Sequence, residues 1–499
     1  MNSPEEVDIL IVGAGLSGIG MAHHVMQAFP DRRIAIVESR DAIGGTWDLF
    51  RYPGVRSDSD MHTLGYRFRP WTDAKSIAGG PAILDYIRAT AAEAGIDEHI
   101  RFGHRAVAAE WSSETSRWRV EVAVGDDTKF FDCAFLVMCS GYYSYEAGYT
   151  PDLPGLESFA GKVVHPQNWP EELDCKGERV VVIGSGATAV TLVPALADAG
   201  ASVTMLQRSP TYIMSVPSQD RIANGIRRLL GDKFSYPLTR WKNVATAWGV
   251  YELSRRRPGI VKKMVRKNVA AYLPEEQIDA HFTPTYQPWD QRLCAAPDGD
   301  LFQALASGRA SVCTDRIDSF TPTGIRLTSG AELEADIVVT ATGLDLLFFG
   351  GVRFRVDGRE IDVADTFAYK GMMLSSIPNF VYTLGYTNSS WTLKADLVSQ
   401  YLCRLIEHMD AHGYRQCVPH LADPGMARRP LFDFDAGYVK RALDRMPSSG
   451  SSAPWRQSMN YVRDVVTMRH RPINDGVLRF GRGTPASARA RRASMSGTH

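Results

Sequence analysis

The chain has 499 residues, of which 44% are hydrophobic and 22% are charged, and its formal net charge is zero. Because this length exceeds what one hydrophobic core usually organises, we expect two or three lobes, and the balanced charge argues against a general affinity for nucleic acid. Seven scattered cysteines without a CxxC spacing favour reduced thiols and no bound metal. The acidic N-terminus lacks the pattern of an export signal and no apolar run reaches about eighteen residues, so the sequence predicts a cytoplasmic protein.

The chain opens with a predicted βαβ unit. Its strand, helix and second strand are expected at residues 7–12, 18–28 and 33–38. In the turn between strand and helix, Gly13 permits a tight bend, Gly15 lets the backbone approach a pyrophosphate, and Gly18 allows the helix to pack closely. Glu38 ends the second strand, where a carboxylate can accept hydrogen bonds from ribose hydroxyls. This order of elements predicts a dinucleotide-binding domain.

A second βαβ unit follows, with a strand from residue 179, a helix to residue 197 and a strand over 202–207. Its glycine-rich turn comprises Gly184, Ser185, Gly186, Ala187, Thr188 and Ala189. The second strand closes on Gln207 and Arg208 instead of an acidic residue. A carboxylate there would repel a 2′-phosphate, whereas the guanidinium of Arg208 can bind it through two hydrogen bonds and Thr188 can add a hydroxyl. The unit is therefore predicted to bind NADPH rather than NADH.

Two longer motifs accompany these turns. Residues 159–170, FAGKVVHPQNWP, match the pattern Phe-x-Gly-x-x-x-His-x-x-x-Trp-Pro, whose fixed members include Phe159, Gly161, His165 and Trp169. Residues 44–58, GGTWDLFRYPGVRSD, match the pattern Gly-Gly-x-Trp-x-x-x-x-Tyr-Pro-Gly-x-x-x-Asp. Both motifs resemble the signatures of Baeyer–Villiger monooxygenases of the single-chain, FAD- and NADPH-dependent type. The resemblance implies that the first unit binds FAD and the second binds NADPH.

The resemblance extends over nearly the entire chain to the ethionamide-activating branch of that family. It includes residues 50–61, 181–198, 206–213, 283–302 and 385–397. By this match Arg292 is the active-site arginine, Asp58 is its carboxylate partner, and Trp391 lies along the nicotinamide half of NADPH. The resemblance further implies cofactor contacts at Ser17, Gly45, Thr46, Trp47, Asp48, Leu49, Arg56, Ser57 and Ala106. Gln291 stands where many family members carry a lysine, so recognition of the 2′-phosphate is expected to depend more on residues 207–208.

The chemistry of this family explains why an arginine is needed. In the family, reduced FAD forms a C4a-peroxyflavin with O2, the peroxide attacks a ketone carbonyl, and the adduct rearranges to an ester or lactone. A guanidinium stays charged throughout and can stabilise negative charge on the peroxide and then on the oxyanion, with Asp58 orienting Arg292. His165, together with the rest of its signature motif, is expected to organise a hinge between the units rather than to transfer protons.

The predicted function is insertion of one oxygen atom into ketones with O2 and NADPH, accompanied by oxidation of sulfides and thioamides. A flavin-containing monooxygenase that acts mainly on sulfur or nitrogen stays open as an alternative, as do a non-catalytic NADPH-sensing flavoprotein and an NADPH oxidase that releases peroxide. A disulfide reductase is disfavoured because Cys133 and Cys139 lack the spacing of a redox pair.

The expected fold is α/β, with two Rossmann-like dinucleotide-binding domains and a helical insertion. We predict an FAD-binding domain at residues 1–145 and 379–485, an NADPH-binding domain at 150–212 and 289–378, the insertion at 213–288 and a disordered tail at 486–499. The insertion is rich in arginine and lysine. A solvated helical cap is the plainer interpretation of this composition, and the functional one is a lid over the substrate or a basic face that contacts a membrane peripherally.

Overall fold

The computed structural model describes residues 3–291, 293–432 and 436–483. Within these residues the chain forms two α/β units, each built on a parallel βαβ core, so the predicted fold class is confirmed. The candidate Arg292 and the tail predicted at 486–499 lie outside the described residues.

The regular elements of the described chain are numbered here in sequence order. The strands are β1 (Glu5–Val12), β2 (Ile34–Val37), β3 (Ile100–Arg101), β4 (Arg105–Ser112), β5 (Arg117–Val124), β6 (Asp127–Met138), β7 (Lys162–Val164), β8 (Arg179–Ile183), β9 (Ser202–Gln207), β10 (Ile213–Val216), β11 (Cys294–Pro297), β12 (Ala310–Thr314), β13 (Ile317–Thr321), β14 (Gly324–Leu327), β15 (Glu332–Glu334), β16 (Ile337–Thr340), β17 (Arg353–Val356), β18 (Arg359–Ile361), β19 (Ala368–Tyr369), β20 (Met373–Leu374), β21 (Phe380–Tyr382), β22 (Gln416–Pro419) and β23 (Leu478–Gly481). The α-helices are α1 (Leu16–Ala28), α2 (Thr46–Leu49), α3 (Met61–Leu64), α4 (Gly80–Glu93), α5 (Ala187–Asp198), α6 (Arg221–Arg256), α7 (Pro258–Val269), α8 (Glu275–His281), α9 (Asp300–Ala306), α10 (Trp391–His412), α11 (Gly437–Lys440) and α12 (Tyr461–Val465).

The larger sheet has the strand order β18-β17-β4-β5-β6-β1-β2-β3, and β21 also pairs with β6. Strand β1 runs parallel to both of its neighbours, β2 and β6. Its residues Ile9, Leu10 and Ile11 are completely buried, as expected for a parallel strand that is covered on both faces. The strand, helix and second strand predicted from the first glycine-rich turn are therefore β1, α1 and β2.

The smaller sheet is entirely parallel, in the order β12-β9-β8-β16-β7. Its central strand β8 leads into α5 and then β9, which are the elements predicted around the second glycine-rich turn. The predicted insertion contains α6, α7 and α8, but it begins with strand β10, which pairs with β11 beyond the insertion.

The chain returns to the larger sheet earlier than the sequence predicted. Strand β17 pairs with β4, and β18 pairs with β17, so residues 353–361 belong to the larger sheet. The predicted boundary at residue 378 is therefore too late for this part of the chain. Strands β19 and β20, just before this boundary, pair antiparallel and form a separate two-stranded sheet.

The two connections between the units run side by side. The outgoing connection follows β6, and the returning connection follows β16. Tyr143 on the outgoing connection forms an antiparallel bridge with Leu346 on the returning one. The backbone N–H of Ser144 donates to the carbonyl of Asp345 at 2.8 Å, and that of Tyr149 donates to the carbonyl of Gly343 at 3.1 Å. The paired connections thus form one two-stranded joint between the units.

No helix in the described part of the chain combines the length and apolar character that a bilayer-spanning segment requires.

Candidate active site

The first glycine-rich turn is shaped by close backbone contacts. Gly13 has a φ of 105°, and its N–H donates to the carbonyl of Val37 at 2.8 Å. A Cβ on Gly18 would overlap the carbonyl oxygen of Gly13, so α1 can approach the strand only with glycine at this position. Helix α1 begins directly after Gly15, so the N–H groups of its first turn are available to a phosphate.

Glu38 is buried, with 4% of its surface exposed, and its carboxylate is held by backbone groups. It accepts hydrogen bonds from the N–H of Ala14 at 2.7 Å and the N–H of Arg40 at 2.9 Å. These bonds fix the carboxylate just after the end of β2, beside the first glycine-rich turn. This is the position in which an acidic residue can reach the ribose of a dinucleotide.

A cavity of about 430 Å³ begins at this turn and runs between the two units. The predicted cofactor residues that line it are Gly13, Gly15, Ser17, Glu38, Gly45, Thr46, Trp47, Arg56, Ser57, Asp58, Ala106, Ala187 and Trp391. From the second glycine-rich turn, Ala187 at the start of α5 lines this cavity, whereas the other NADPH residues predicted in the second unit do not; these are Gly184, Ser185, Gly186, Thr188, Ala189, Gln207 and Arg208.

Two residues of the 44–58 motif have a different setting from the one predicted. Asp48 is buried and forms ion pairs with Arg40 at 2.6 Å and with Arg88 at 3.1 Å. Asp48 and Leu49 do not line the cavity, although Asp48 borders a separate cleft on the other side of the motif. In this structure the Asp48 carboxylate serves to fix the motif rather than to face the cavity.

Sequence reasoning missed a cluster of tyrosines that follows β6. Tyr142, Tyr143 and Tyr145 all line the cavity, and Tyr143 shares a 2.5 Å hydrogen bond with Thr46 between their hydroxyl oxygens. Burial raises the pKa of Tyr143 well above its ordinary value, and burial, with the neighbouring charge of Glu38, raises the pKa of Tyr145 to about 12. Both side chains are therefore neutral hydrogen-bonding groups at physiological pH. The run GYYSYE at the carboxyl end of a strand was the available signal.

Trp391 connects the end of the chain to the first turn. Its Nε1 donates a hydrogen bond of 2.7 Å to Ser17 Oγ, and its ring stacks on Tyr142 with centroids 5.4 Å apart and planes inclined by 15°. The ring lines the cavity as the first residue of α10.

Asp58 is exposed at the cavity wall, next to Ser57 and Ser59. The predicted partner, Arg292, lies outside the described residues, so the pairing stays a prediction. Arg56 has a partner in the second unit, because both of its terminal nitrogens donate to the carboxylate of Asp300 in the first turn of α9. This ion pair joins the two units on one side of the cavity.

The second glycine-rich turn repeats the geometry of the first. Gly184 has a φ of 140°, its N–H donates to Leu206 at 2.8 Å, and α5 begins directly after Gly186. Ser185 and Thr211 share a hydrogen bond of 2.7 Å. The turn therefore places the first N–H groups of a helix of twelve residues beside the β9 terminus.

The two residues predicted to recognise the 2′-phosphate differ in exposure. Arg208 is exposed and has no ion pair with the described residues. Gln207 is 1% exposed, and its Nε2 donates to the carbonyl of His281 and to Thr314 Oγ1, both at 2.8 Å. Of the two, Arg208 has the side chain that can turn toward a ligand. Thr188 and Ala189 lie in the first turn of α5.

The signature motif lies at the joint between the units. His165 Nδ1 accepts the N–H of Gln167 at 3.1 Å, and its Nε2 lies 3.3 Å from the carbonyl of Gly343 on the returning connection. A Cβ on Gly148, in the outgoing connection, would overlap the His165 ring. Burial lowers the pKa of His165, an effect that the hydrogen bond to Gly343 partly opposes. A neutral His165 therefore packs between both connections.

The other members of the motif pack within the unit that contains the smaller sheet. Phe159 is buried and meets Phe320 edge to face at 5.9 Å, and a Cβ on Gly161 would overlap the carbonyl of Asp336. Trp169 packs against the hydrophobic core of that unit. The motif thus contacts the joint through its histidine and the unit's interior through its aromatic residues.

The cysteines have no redox arrangement in the structure. Cys133 and Cys139 are buried and free, and burial raises the pKa of both, that of Cys139 to about 12. Such thiols are inert at neutral pH. Among the described residues, no group of three or more His, Cys, Asp and Glu side chains is placed to hold a metal ion.

Comparison with known proteins gives two family matches. A family model described as flavin-binding monooxygenase-like matches residues 76–350, and a model described as an NAD(P)-binding Rossmann-like domain matches residues 11–73. The chain is 52% identical over 480 residues to the FAD-containing monooxygenase EthA of Mycobacterium tuberculosis, covering 96% of this chain and 98% of that protein. It is 46% identical over 483 residues to the probable FAD-binding monooxygenase AlmA of Acinetobacter baylyi, covering 96% and 97%.

Solved structures share the fold at low sequence identity. An OTEMO complex with FAD and NADP has a TM-score of 0.70 and 22% identity, covering 84% of this chain and 87% of that one. An oxidized steroid monooxygenase bound to NADP has a TM-score of 0.69 and 23% identity, covering 83% and 88%.

Proposed function

The chain belongs to the flavin-binding monooxygenase family, and we propose that it is a Baeyer–Villiger enzyme of that family. It is an FAD-containing, NADPH-dependent monooxygenase, as the sequence predicted. In the proposed reaction a ketone, O2, NADPH and a proton give an ester or lactone, water and NADP⁺. One atom of O2 enters the bond between the carbonyl carbon and its neighbour, the other leaves as water, and NADPH supplies two electrons.

The observation that carries the proposal is that both glycine-rich turns reach one cavity. Gly15 of the first turn and Ala187 after the second both line it, and Asp58 lies in the same wall. A hydride passes between two bound dinucleotides only if their reactive rings meet, and a shared cavity provides for that meeting. We therefore assign FAD to the unit with the larger sheet and NADPH to the unit with the smaller sheet.

The residues of the first unit fit FAD. The turn at Gly13 and Gly15 leaves its backbone open to a pyrophosphate, Glu38 is fixed beside the ribose position, and Ala106 lines the adenine end. Bound FAD, once reduced by NADPH, supplies the activation of O2. Tyr142 and Trp391 stack on each other in the cavity wall, and we propose that they limit the access of water, which would strengthen electrostatic interactions inside the cavity.

We propose Arg292 as the catalytic arginine and Asp58 as the residue that orients it. A guanidinium keeps its charge at every pH of interest, so it can hold the oxyanion that develops when the carbonyl is attacked. The position of Asp58 on the cavity wall supports this proposal. In the second unit, Arg208 is proposed to bind the 2′-phosphate of NADPH, and the N-terminus of α5 its pyrophosphate.

The test is a panel of ketones incubated with the holoenzyme, NADPH and ¹⁸O2, with gas-chromatographic and mass-spectrometric analysis of the products. We expect esters or lactones that carry one labelled oxygen. Sulfides and thioamides run in parallel cover the heteroatom alternative: sulfoxide formation without any ester would overturn the proposal in favour of that alternative. NADPH binding without oxygen consumption would instead favour a nucleotide sensor, and peroxide as the sole product an oxidase.

A variant tests the catalytic role proposed for Arg292. Arg292→Ala is expected to keep NADPH consumption and peroxide release while ester formation falls at least a hundredfold, since removal of a preorganised donor to an oxyanion commonly costs about 3–4 kcal/mol. The control is Arg255→Ala, which removes an exposed arginine paired with Asp290, and Asp290 lies two residues before Arg292 in the sequence. Unchanged ester yield in Arg292→Ala would refute the assignment.

A further inference from the structure

The outward face of α6 carries a row of large apolar side chains. They are Ile222, Leu229, Leu230, Phe234, Leu238, Trp241 and Trp248, and we call them the outer stripe. Leu229 is 85% exposed, Phe234 67% and Trp248 46%, so solvent reaches even the aromatic members. Helix α6 is broken at Gly231, where φ is 69°, so Ile222, Leu229 and Leu230 precede the break. The members after it, from Phe234 to Trp248, recur at intervals of three, four or seven residues, which places them along one side of the second helical segment. A face of this kind on a water-soluble helix normally packs against a core.

The opposite face of α6 is fixed to the larger unit, so the outer stripe cannot turn inward. The hydroxyl of Tyr236 donates to the carbonyl of Tyr66 at 3.0 Å. The buried Arg240 donates to the carbonyls of His62 and Gly65 at 2.9 and 2.8 Å and pairs with Asp396 at 3.2 Å. Breaking a buried pair of this kind leaves an uncompensated charge, which is strongly unfavourable. The exposed apolar side is therefore a permanent property of this helix.

The surroundings of the outer stripe are cationic. Residues 221–267 contain thirteen lysines and arginines and two acidic residues, although the whole chain has a formal net charge of zero. Arg228, Lys233, Arg257 and Lys263 are exposed and have no ion pair within the described residues. On the neighbouring α7, Ile260 and Met264 are also exposed, on either side of Lys263. Both contacting helices, α6 and α7, thus expose apolar side chains near cations that have no ion pair in the described part of the chain.

Charge complementarity decides the occupant of this surface. A helix with exposed aromatic and leucine side chains, bordered by lysine and arginine, fits a bilayer with anionic headgroups, because the apolar groups enter the headgroup boundary while the cations stay with the phosphates. A second copy of this chain would bring two strongly cationic surfaces together, which like-charge repulsion opposes. We propose that the outer stripe and its flanking cations dock the protein peripherally on an anionic membrane surface.

The docking surface lies over the proposed active site. Helix α6 packs on α3 through the bonds of Arg240 to His62 and Thr63, and Asn243 donates to Asp60 at 2.8 Å. Ser59 and Leu64, at the two ends of this segment, line the cavity between the units. A docked protein therefore holds that wall of its cavity next to the lipid, where apolar substrates concentrate. This last consequence rests on the proposed function, whereas docking itself does not.

Sedimentation with vesicles tests the docking of the full-length holoprotein. Vesicles of phosphatidylcholine mixed with phosphatidylglycerol are expected to bind it, and pure phosphatidylcholine vesicles to bind it at least tenfold more weakly, with the difference shrinking as salt is raised. Absence of binding to anionic vesicles at low salt would overturn the proposal.

Paired variants separate the two contributions. Phe234→Ser with Leu238→Ser is expected to weaken vesicle binding at least tenfold, and so is Arg257→Glu with Lys263→Glu. The matched controls are Phe102→Ser, an exposed aromatic residue on the larger unit, and Arg353→Glu with Arg355→Glu, exposed cations on β17. All these sites are at the surface, so the variants are expected to keep bound FAD and NADPH oxidation in buffer. An equal loss of vesicle binding in the variants and the controls would show that the outer stripe and its flanking cations are not a specific docking surface.

Two further measurements distinguish docking on a membrane from association with a second copy of the chain. Quenching of tryptophan fluorescence by lipids brominated along their acyl chains should fall in a variant that combines Trp241→Phe with Trp248→Phe while sedimentation persists. Light scattering should report the same mass for the wild type and for Phe234→Ser with Leu238→Ser. A dimer that the serine variant converts to a monomer, without vesicle binding by the wild type, would assign the stripe to self-association and refute membrane docking.

Discussion

Trp391 Nε1 donates a 2.7 Å hydrogen bond to Ser17 Oγ, which ties the start of α10 to the first glycine-rich turn. Trp391→Phe keeps an aromatic ring against Tyr142 but removes the donor. Because a partly buried hydrogen bond contributes about 1 kcal/mol, we expect the dissociation constant of FAD to rise several-fold, measured by flavin fluorescence. Ser17→Ala should have a similar effect, and the double variant should add little to either single one, because both remove the same bond. Additive effects would show that the bond is not what orders the turn.

Two glycines of the second turn predict opposite outcomes. A Cβ on Gly184 would overlap the carbonyl of Ala341, and its φ of 140° disfavours any side chain, whereas a Cβ on Gly186 meets nothing within 4 Å. Gly184→Ala should therefore lower the thermal midpoint of unfolding by several degrees. Gly186→Ala should leave it unchanged but raise the KM for NADPH at least tenfold, because the methyl group projects where the backbone must approach the coenzyme. Normal NADPH kinetics in Gly186→Ala would place the coenzyme elsewhere.

His165 and Gly148 offer a test of the joint. A Cβ on Gly148 would overlap the His165 ring, so Gly148→Ala should be destabilising in the wild type and much less so in a His165→Ala background. The free energies should deviate from additivity by about 1 kcal/mol or more, measured by denaturant unfolding of the holoprotein. If His165 acts as a hinge element, His165→Gln should alter the coupling of NADPH use to product without a new ionisation in the pH profile of kcat. Loss of one limb of that profile would instead assign it a proton-transfer role.

His23 predicts how stability changes with pH. Burial lowers the pKa of His23 from 6.5 to about 4, with the neighbouring His24 acting in the same direction and Asp396 opposing it. The unfolded chain therefore takes up a proton at this site more readily than the folded one. The stability that its neutral form contributes is fully present above pH 6.5 and declines as the pH falls toward 4.

The measurement for His23 is thermal unfolding at pH 7 and pH 5. His23→Gln should lose less stability than the wild type over this interval, by about 2 °C or more in the midpoint. His470→Gln, at an exposed histidine, serves as the control and should follow the wild type. A His23→Gln curve parallel to that of the wild type would show that other groups govern the acid limb.

Arg208 should control coenzyme choice. Its side chain is exposed at the end of β9, so Arg208→Ala is expected to raise the KM for NADPH tenfold or more and to change the KM for NADH little, because only NADPH carries the 2′-phosphate. Steady-state oxidation of each coenzyme measures this. Arg326→Ala, at an exposed arginine of β14 in the same unit, is the control. Equal effects of Arg208→Ala on the KM values of both coenzymes would refute the proposal that Arg208 binds the 2′-phosphate.

The dinucleotide turns could be predicted because their geometry is set locally. Gly13, Gly15 and Gly18 lie within one turn and one helical start. Backbone sterics require Gly13 and Gly18, whereas Gly15 is required only for the close approach of a pyrophosphate. The same holds for Glu38, whose place at the end of a strand fixes its reach. The family signatures added the cofactors, which backbone geometry by itself does not distinguish.

Other features depend on contacts between distant parts of the chain, and the sequence could not supply them. Tyr143 enters the cavity wall because its segment pairs with Leu346. Asp48, expected beside the cofactor, is held away from the cavity by Arg88 of α4. Which face of α6 is buried depends on Arg240 reaching carbonyls of α3. In each case a residue far along the chain decides the direction of a side chain, and spacing along one helix or loop carries no record of it.

The antiparallel bridge between Tyr143 and Leu346 has a consequence for how this architecture can evolve. Because the two connections between the units lie side by side, the segment from residue 143 to residue 346 begins and ends at neighbouring points of the structure. Recombination at these two points could replace that segment while the larger sheet keeps its strand order. Coenzyme preference and the shape of the helical insertion can thus be inherited together from one ancestor, and the flavin scaffold from another.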